Sequence, residues 1–150
     1  MQLTNEIDPA ENRDHPRHVS FRAIPRREAL LTDVCRTFGF TFWGSAVDLL
    51  LQTLAARRDI LDRLDLADAP RRVLNGGGDT LNSGSGNEAA KLSCGVLSPP
   101  AFDLAVEIGQ RLGVHAGQAT SILIHLAAPA AREAVFDFLD QGREIGGMVK

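Results

Sequence analysis

Three polar side chains stand at alternate positions of the segment His18–Ile24, HVSFRAI. Successive side chains of an extended chain point to opposite sides, so His18, Ser20 and Arg22 share one face and Val19, Phe21 and Ala23 the other. An outward guanidinium can fork onto the two acceptors of a guanine edge, and Ser or His can add hydrogen bonds to base edges. Arg26 and Arg27 follow directly after Pro25 and are candidates for contact with a phosphate backbone, an interaction that weakens with salt. The chain carries 14 Arg and 2 Lys, and residues 1–75 hold 11 basic against 11 acidic residues. Residues 76–150 hold 5 against 8, so the cationic half is the first. The net charge of −3 argues against a general nucleic-acid coat but leaves room for a local basic face.

Other chemistries find less support. His115 and His125 are too far apart in sequence, and Cys35 and Cys94 too isolated, to give metal-ligand spacing, so neither metal nor cofactor is expected. Asp33 and Glu107 could be paired carboxylates for acid–base work, but solvated helix faces are the simpler reading. Gly76-Gly77-Gly78, Gly84 and Gly86 resemble a phosphate loop only superficially, because Asn87-Glu88 stands where a Lys-Ser/Thr pair is required. No nucleophile has an adjacent base in a recognisable motif, and the sequence predicts a protein that is not an enzyme. Two cysteines make no disulfide framework, no apolar run approaches the roughly 18 residues needed to span a bilayer, and no signal-peptide apolar region is expected at the start. The expectation is a cytoplasmic protein with no membrane association.

The elements that must position these residues occur twice. At a shift of 74, Phe21–Leu64 runs beside Gly95–Phe138 without a gap: Pro25 falls on Pro99, Asp33 on Glu107, Gly39 on Gly113 and Arg58 on Arg132. Each copy reads as strand, Pro, amphipathic helix, Gly, second helix. A unit of roughly 45 residues is too small to bury its own core, so the copies should pack together. The predicted division is a disordered arm over 1–17, a first unit over 18–68, a flexible Gly-rich linker over 69–90, a second unit over 91–140 and a frayed tail over 141–150. Within the units, Pro25 opens a helix to Phe38, Gly39 ends it, and Thr41 is the expected N-cap of a helix from about Phe42. In the second unit Lys91–Leu97 is the strand, Ala101–Leu112 and Ala116–Ala127 the helices, and Pro129 a break before Ala131–Leu139. The fold class is mainly α with a two-stranded antiparallel ribbon.

HVSFRAIPRREALLTDVCRTFGFTFWGSAVDLLLQTL resembles the ribbon-helix-helix family, and LSCGVLSPPAFDLAVEIGQRLGVHAGQATSILIHLA resembles it in its helices and turn. The resemblance implies a tandem, single-chain ribbon-helix-helix pseudo-dimer, similar to accessory proteins of conjugation and T-DNA transfer and to dimeric repressors of that fold. It implies a ribbon that enters the major groove of double-stranded DNA, in the service of transcriptional repression or plasmid transfer. It also implies a second anchor, the start of each second helix, holding a DNA phosphate. Thr41, Phe42 and Trp43 occupy that position in the first copy, and His115, Ala116 and Gly117 in the second. Trp43 also reads as a packing residue. The second strand departs from the pattern, because its outward residues by the same register are Leu92, Cys94 and Val96. That face motivates an alternative: a protein-interaction module on the same fold, with a protein partner bound through the second copy. The chain is expected to be a monomeric pseudo-dimer or a higher homo-oligomer on DNA.

Overall fold

The computed structural model describes residues 6–74 and 90–149, with side chains through residue 139. Its elements are β1 (His18–Ala23), α1 (Pro25–Phe38), α2 (Trp43–Ala56), α3 (Arg58–Asp62), α4 (Ala69–Val73), β2 (Lys91–Val96), α5 (Pro99–Leu112), α6 (Ala116–Leu126) and α7 (Ala128–Val149). The described residues are thus mostly helical, with one two-stranded antiparallel sheet among them.

Alternation makes β1. Val19, Phe21 and Ala23 are buried while Ser20 and Arg22 are exposed, as a half-buried strand requires. The register pairs His18 with Val96, Ser20 with Cys94 and Arg22 with Leu92. Ser20 therefore lies opposite the residue 74 positions further on, the shift that relates the two sequence copies. Leu97 N–H donating to Arg17 C=O at 3.0 Å carries the ladder one step beyond the strand.

The helices that follow the strands start and stop alike. Pro25 and Pro99 sit in the first turn, where a missing N–H costs little. Gly39 and Gly113 both adopt φ +73°, and the residue after each donates its N–H back into the helix, Phe40 to Cys35 and Val114 to Gly109. That left-handed stop is costly for side chains other than glycine.

Each second helix lies across the strand of the other copy: α2 packs on β2 and α6 on β1. The crossings are backbone-close. A Cβ on Gly44 would stand 2.7 Å from Gly95 Cα and 2.8 Å from the Cys94 carbonyl oxygen. One on Gly117 would stand 2.5 Å from the Ser20 carbonyl oxygen. Ser20 and Cys94 are the central ribbon pair, so both helices meet the ribbon at its middle. The shared interior holds Phe21, Leu31, Leu50, Leu51 and Leu54 from the first copy against Leu104, Ile108, Ile122, Leu123 and Ile124 from the second.

Two ion pairs repeat this crossing. Asp33 of α1 accepts from Arg132 of α7, with Nε–Oδ2 at 2.9 Å, and Glu107 of α5 accepts both arms of Arg58 of α3 at 2.6 Å. Asp33 and Glu107 are 74 residues apart, as are Arg58 and Arg132, so each carboxylate is bridged to the other copy's arginine. All four side chains are more than a third exposed, and each pair is worth about 0–1 kcal/mol.

Several boundaries differ from expectation. Residues 6–17 form turns rather than a disordered arm: Asp8 accepts from Ala10 N–H, its carbonyl accepts from Asn12, and Pro9 is buried. Within the expected linker, Ala69 and Val73 are fully buried and α4 packs on α6, whereas residues 75–89 lie outside the described residues. The glycines Gly76, Gly77, Gly78, Gly84 and Gly86 lie outside the described residues. Pro129 falls in the first turn of α7 and so opens that helix, which runs on to Val149 through the expected tail. The repeat is also not gapless. Trp43 begins α2 and Ala116 begins α6, so the copies slip by one residue after Gly39 and Gly113.

Candidate nucleic-acid interface

The ribbon turns one face to the helices and one away. The outward face carries His18, Ser20 and Arg22 from β1 opposite Val96, Cys94 and Leu92 from β2. Ser20 and Arg22 are exposed, and Leu92 is 62% exposed. His18 is only partly accessible, and its Nε2 is buried without a hydrogen-bond partner. One half of the face is polar and can donate and accept; the other is apolar. Such a surface can read hydrogen-bonding base edges on one side and methyl or other apolar groups on the other.

The start of α2 flanks the β2 edge and the start of α6 flanks the β1 edge, through the Gly44 and Gly117 contacts. A helix start offers N–H groups and the positive end of its dipole to anions. In the second copy His115 is the N-cap: its Nδ1 accepts from Gln118 N–H at 3.2 Å, and Gln118 Oε1 accepts from His115 N–H at 3.4 Å. Ala116 and Gly117 form the first turn behind it, Gly117 against β1.

The first copy solves the same problem differently. Phe42, not Thr41, is the N-cap of α2, and its side chain has no acceptor. Glu6 supplies one from 36 residues upstream. Its Oε1 accepts from Thr41 N–H at 2.7 Å, and its Oε2 accepts from Phe42 N–H at 3.1 Å and from Ser45 Oγ at 2.6 Å. Burial pushes the Glu6 pKa up, but the Ser45, Thr41 and Phe42 hydrogen bonds outweigh it and hold the carboxyl below its ordinary value. The same carboxylate bears on Cys35, whose thiol is pushed up to about 11 by burial first and by Glu6 second, against a lowering backbone hydrogen bond from Ala46. Trp43 packs against the core, and its indole N–H donates to Thr32 Oγ1 at 3.2 Å.

The arginines divide by their neighbours. Arg22 and Arg26 are exposed. Arg27 donates Nε at 3.3 Å and Nη2 at 2.8 Å to the His125 carbonyl, tying α1 to α6. Arg17 Nε donates to the Leu97 carbonyl at 2.8 Å, bracing the end of the ribbon. The structure thus brings His18, Ser20 and Arg22 onto one face, with Arg26 just beyond it and the two helix starts at its edges.

Sequence reasoning passed over the residues that fasten each second helix to the opposite strand. Asp48 Oδ1 accepts from Ser98 N–H at 2.8 Å and from Ser98 Oγ at 2.9 Å. On the other side Ile24 N–H donates to His125 Nε2 at 3.4 Å, and Arg22 N–H donates to Ser121 Oγ at 3.0 Å. Ile24 and Ser98 are again 74 apart and are the N-caps of α1 and α5. His125 is buried and its Nδ1 lies 2.7 Å from Ser121 C=O, so Nδ1–H as donor and Nε2 as acceptor is the tautomer that satisfies both contacts. A lone acid inside the apolar run Val47–Leu51 was the available signal for Asp48.

Among the described residues no cluster of three or more His, Cys, Asp or Glu side chains could hold a metal ion, and no helix is long and apolar enough to cross a membrane. Neither a protein-family model, nor a curated protein, nor a solved structure matches this chain.

Proposed function

We propose that this chain is a tandem ribbon-helix-helix pseudo-dimer that binds double-stranded DNA with its ribbon in the major groove. It acts as a transcriptional repressor or as an accessory factor of DNA transfer. The observation that carries the reading is the ribbon register: Ser20 lies opposite Cys94, its own counterpart in the repeat. A two-fold arrangement of two copies requires such a self-pairing at the axis. The crossed Asp33–Arg132 and Glu107–Arg58 pairs support the same symmetry. With the helices covering one ribbon face, Ser20 and Arg22 remain outward, and a two-stranded ribbon has the width to enter the major groove. Arg22 is the leading base reader. Arg26 and the flanking helix starts are the backbone contacts.

Fluorescence anisotropy with mixed duplex DNA tests this. Binding should weaken steeply between low and moderate salt. Arg22→Ala should reduce discrimination among sites by about 1–3 kcal/mol, as for loss of one bidentate base contact. Complete absence of binding at low salt refutes the reading.

One observation favours a second reading, a protein-interaction module on the same scaffold. Leu92, Cys94 and Val96 give half of the outward face an apolar character, and Leu92 is 62% exposed. Failure to bind any duplex together with an intact fold would support it.

A further inference from the structure

The two helix starts that flank the ribbon are capped by different means. At α6 the cap is local, because His115 and Gln118 lie within the helix's own first residues. At α2 nothing local serves: Phe42 makes no side-chain cap, and the first turn holds no acidic residue. The anion is brought in from outside, as the Glu6 carboxylate on Thr41 N–H, Phe42 N–H and Ser45 Oγ. A carboxylate bound in this way takes the seat of any other anion.

We propose that residues 6–16 are an autoinhibitory strap in which Glu6 acts as an internal anion on the α2 start, so that a DNA phosphate can occupy this flank only when the strap leaves. The inference rests on the DNA-binding reading and adds its regulation.

The strap is built to release. Pro9 is its buried residue, while Ile7 is 43% exposed, so apolar burial fastens it weakly. Its other hydrogen bonds are short-range turns, such as Asn12 Nδ2 to the Asp8 carbonyl. Arg17, held to the Leu97 carbonyl, marks the fixed end. The strap is also acidic, with Glu6, Asp8, Glu11 and Asp14 against Arg13. A duplex approaching the β2 flank would therefore repel it as well as compete for its seat.

Three proteins decide the matter by anisotropy on one mixed-sequence duplex at low salt: wild type, Glu6→Ala and, as a charge control in the same strap, Glu11→Ala. If the open state is about one tenth populated, Glu6→Ala should bind about tenfold more tightly, because apparent affinity scales with the competent fraction. Glu11→Ala should stay within about twofold of wild type, as expected for one screened surface charge. Amide exchange on wild type gives a second readout that does not depend on the variant's stability: residues 7–16 should exchange faster when duplex is bound. Glu6→Ala binding no more tightly than wild type or Glu11→Ala, or unchanged strap protection in the complex, overturns the strap and leaves the DNA reading standing. Absence of duplex binding by all three proteins overturns both.

Discussion

Replacing Gly44 by Ala ought to stabilise an ordinary helix, since Ala is favoured over Gly by up to about 1 kcal/mol in a helix interior. At this crossing the sign should reverse. The new methyl carbon would lie 2.7 Å from Gly95 Cα and 2.8 Å from the Cys94 carbonyl oxygen, where an ordinary contact begins at 3.4 Å. Both obstacles are backbone, so no flexible side chain can swing aside, and α2 must lift from β2 by several tenths of an ångström. Overpacking of this kind costs about 1–3 kcal/mol. For a chain of this size that corresponds to a fall in Tm of roughly 2–12 °C, at about 2–4 °C per kcal/mol. Gly117→Ala meets the Ser20 carbonyl oxygen at 2.5 Å and should lose a similar amount, because the two glycines make the same crossing on opposite edges. Thermal denaturation followed by circular dichroism measures both. A Tm equal to or above wild type in either variant would refute the backbone-close crossing, and losses of very different size would refute the equivalence of the two copies.

Other consequences are independent of that crossing. The depressed Glu6 pKa means that its docking contributes stability above the ordinary carboxylate range and loses it as pH falls through the folded-state value. The stability gap between wild type and Glu6→Gln should hence be constant near neutrality and close in acid, and a gap that widens on acidification would contradict the cap. Cys35 is buried with its thiol pushed up to about 11, whereas Cys94 is half-buried on the outward ribbon face. Iodoacetamide at mildly alkaline pH should label Cys94 well ahead of Cys35 in peptide mass mapping, and preferential labelling of Cys35 would show the ribbon face misassigned.

Local rules carried much of this fold. The period-two pattern of HVSFRAI predicts which side chains of β1 are buried, and the two glycines at equivalent positions predict two identical helix stops, both found at φ +73°. What failed was non-local or depended on one turn. The α2 cap comes from Glu6, and no spacing rule connects it to Phe42 36 residues later. The slip between the copies arises because α2 takes Phe42 as its N-cap, one position later than Thr41, the residue that aligns with His115. Pro129 was misread because proline breaks a helix interior yet suits its first turn, and only the end of α6 at Leu126 distinguishes these. Asp33, Glu107, Arg58 and Arg132 were visible as equivalent pairs, but which carboxylate meets which arginine depends on how the copies cross. The outward ribbon residues of the candidate site were legible for the same reason as the strand itself.

If the ribbon enters the major groove, guanine methylation interference on a selected duplex will report it. Guanine N7 faces the major groove, so methylation there should exclude the protein at the guanines that Arg22 contacts, and Arg22→Ala should abolish that interference. Binding that tolerates N7 methylation throughout the site would put the ribbon outside the major groove.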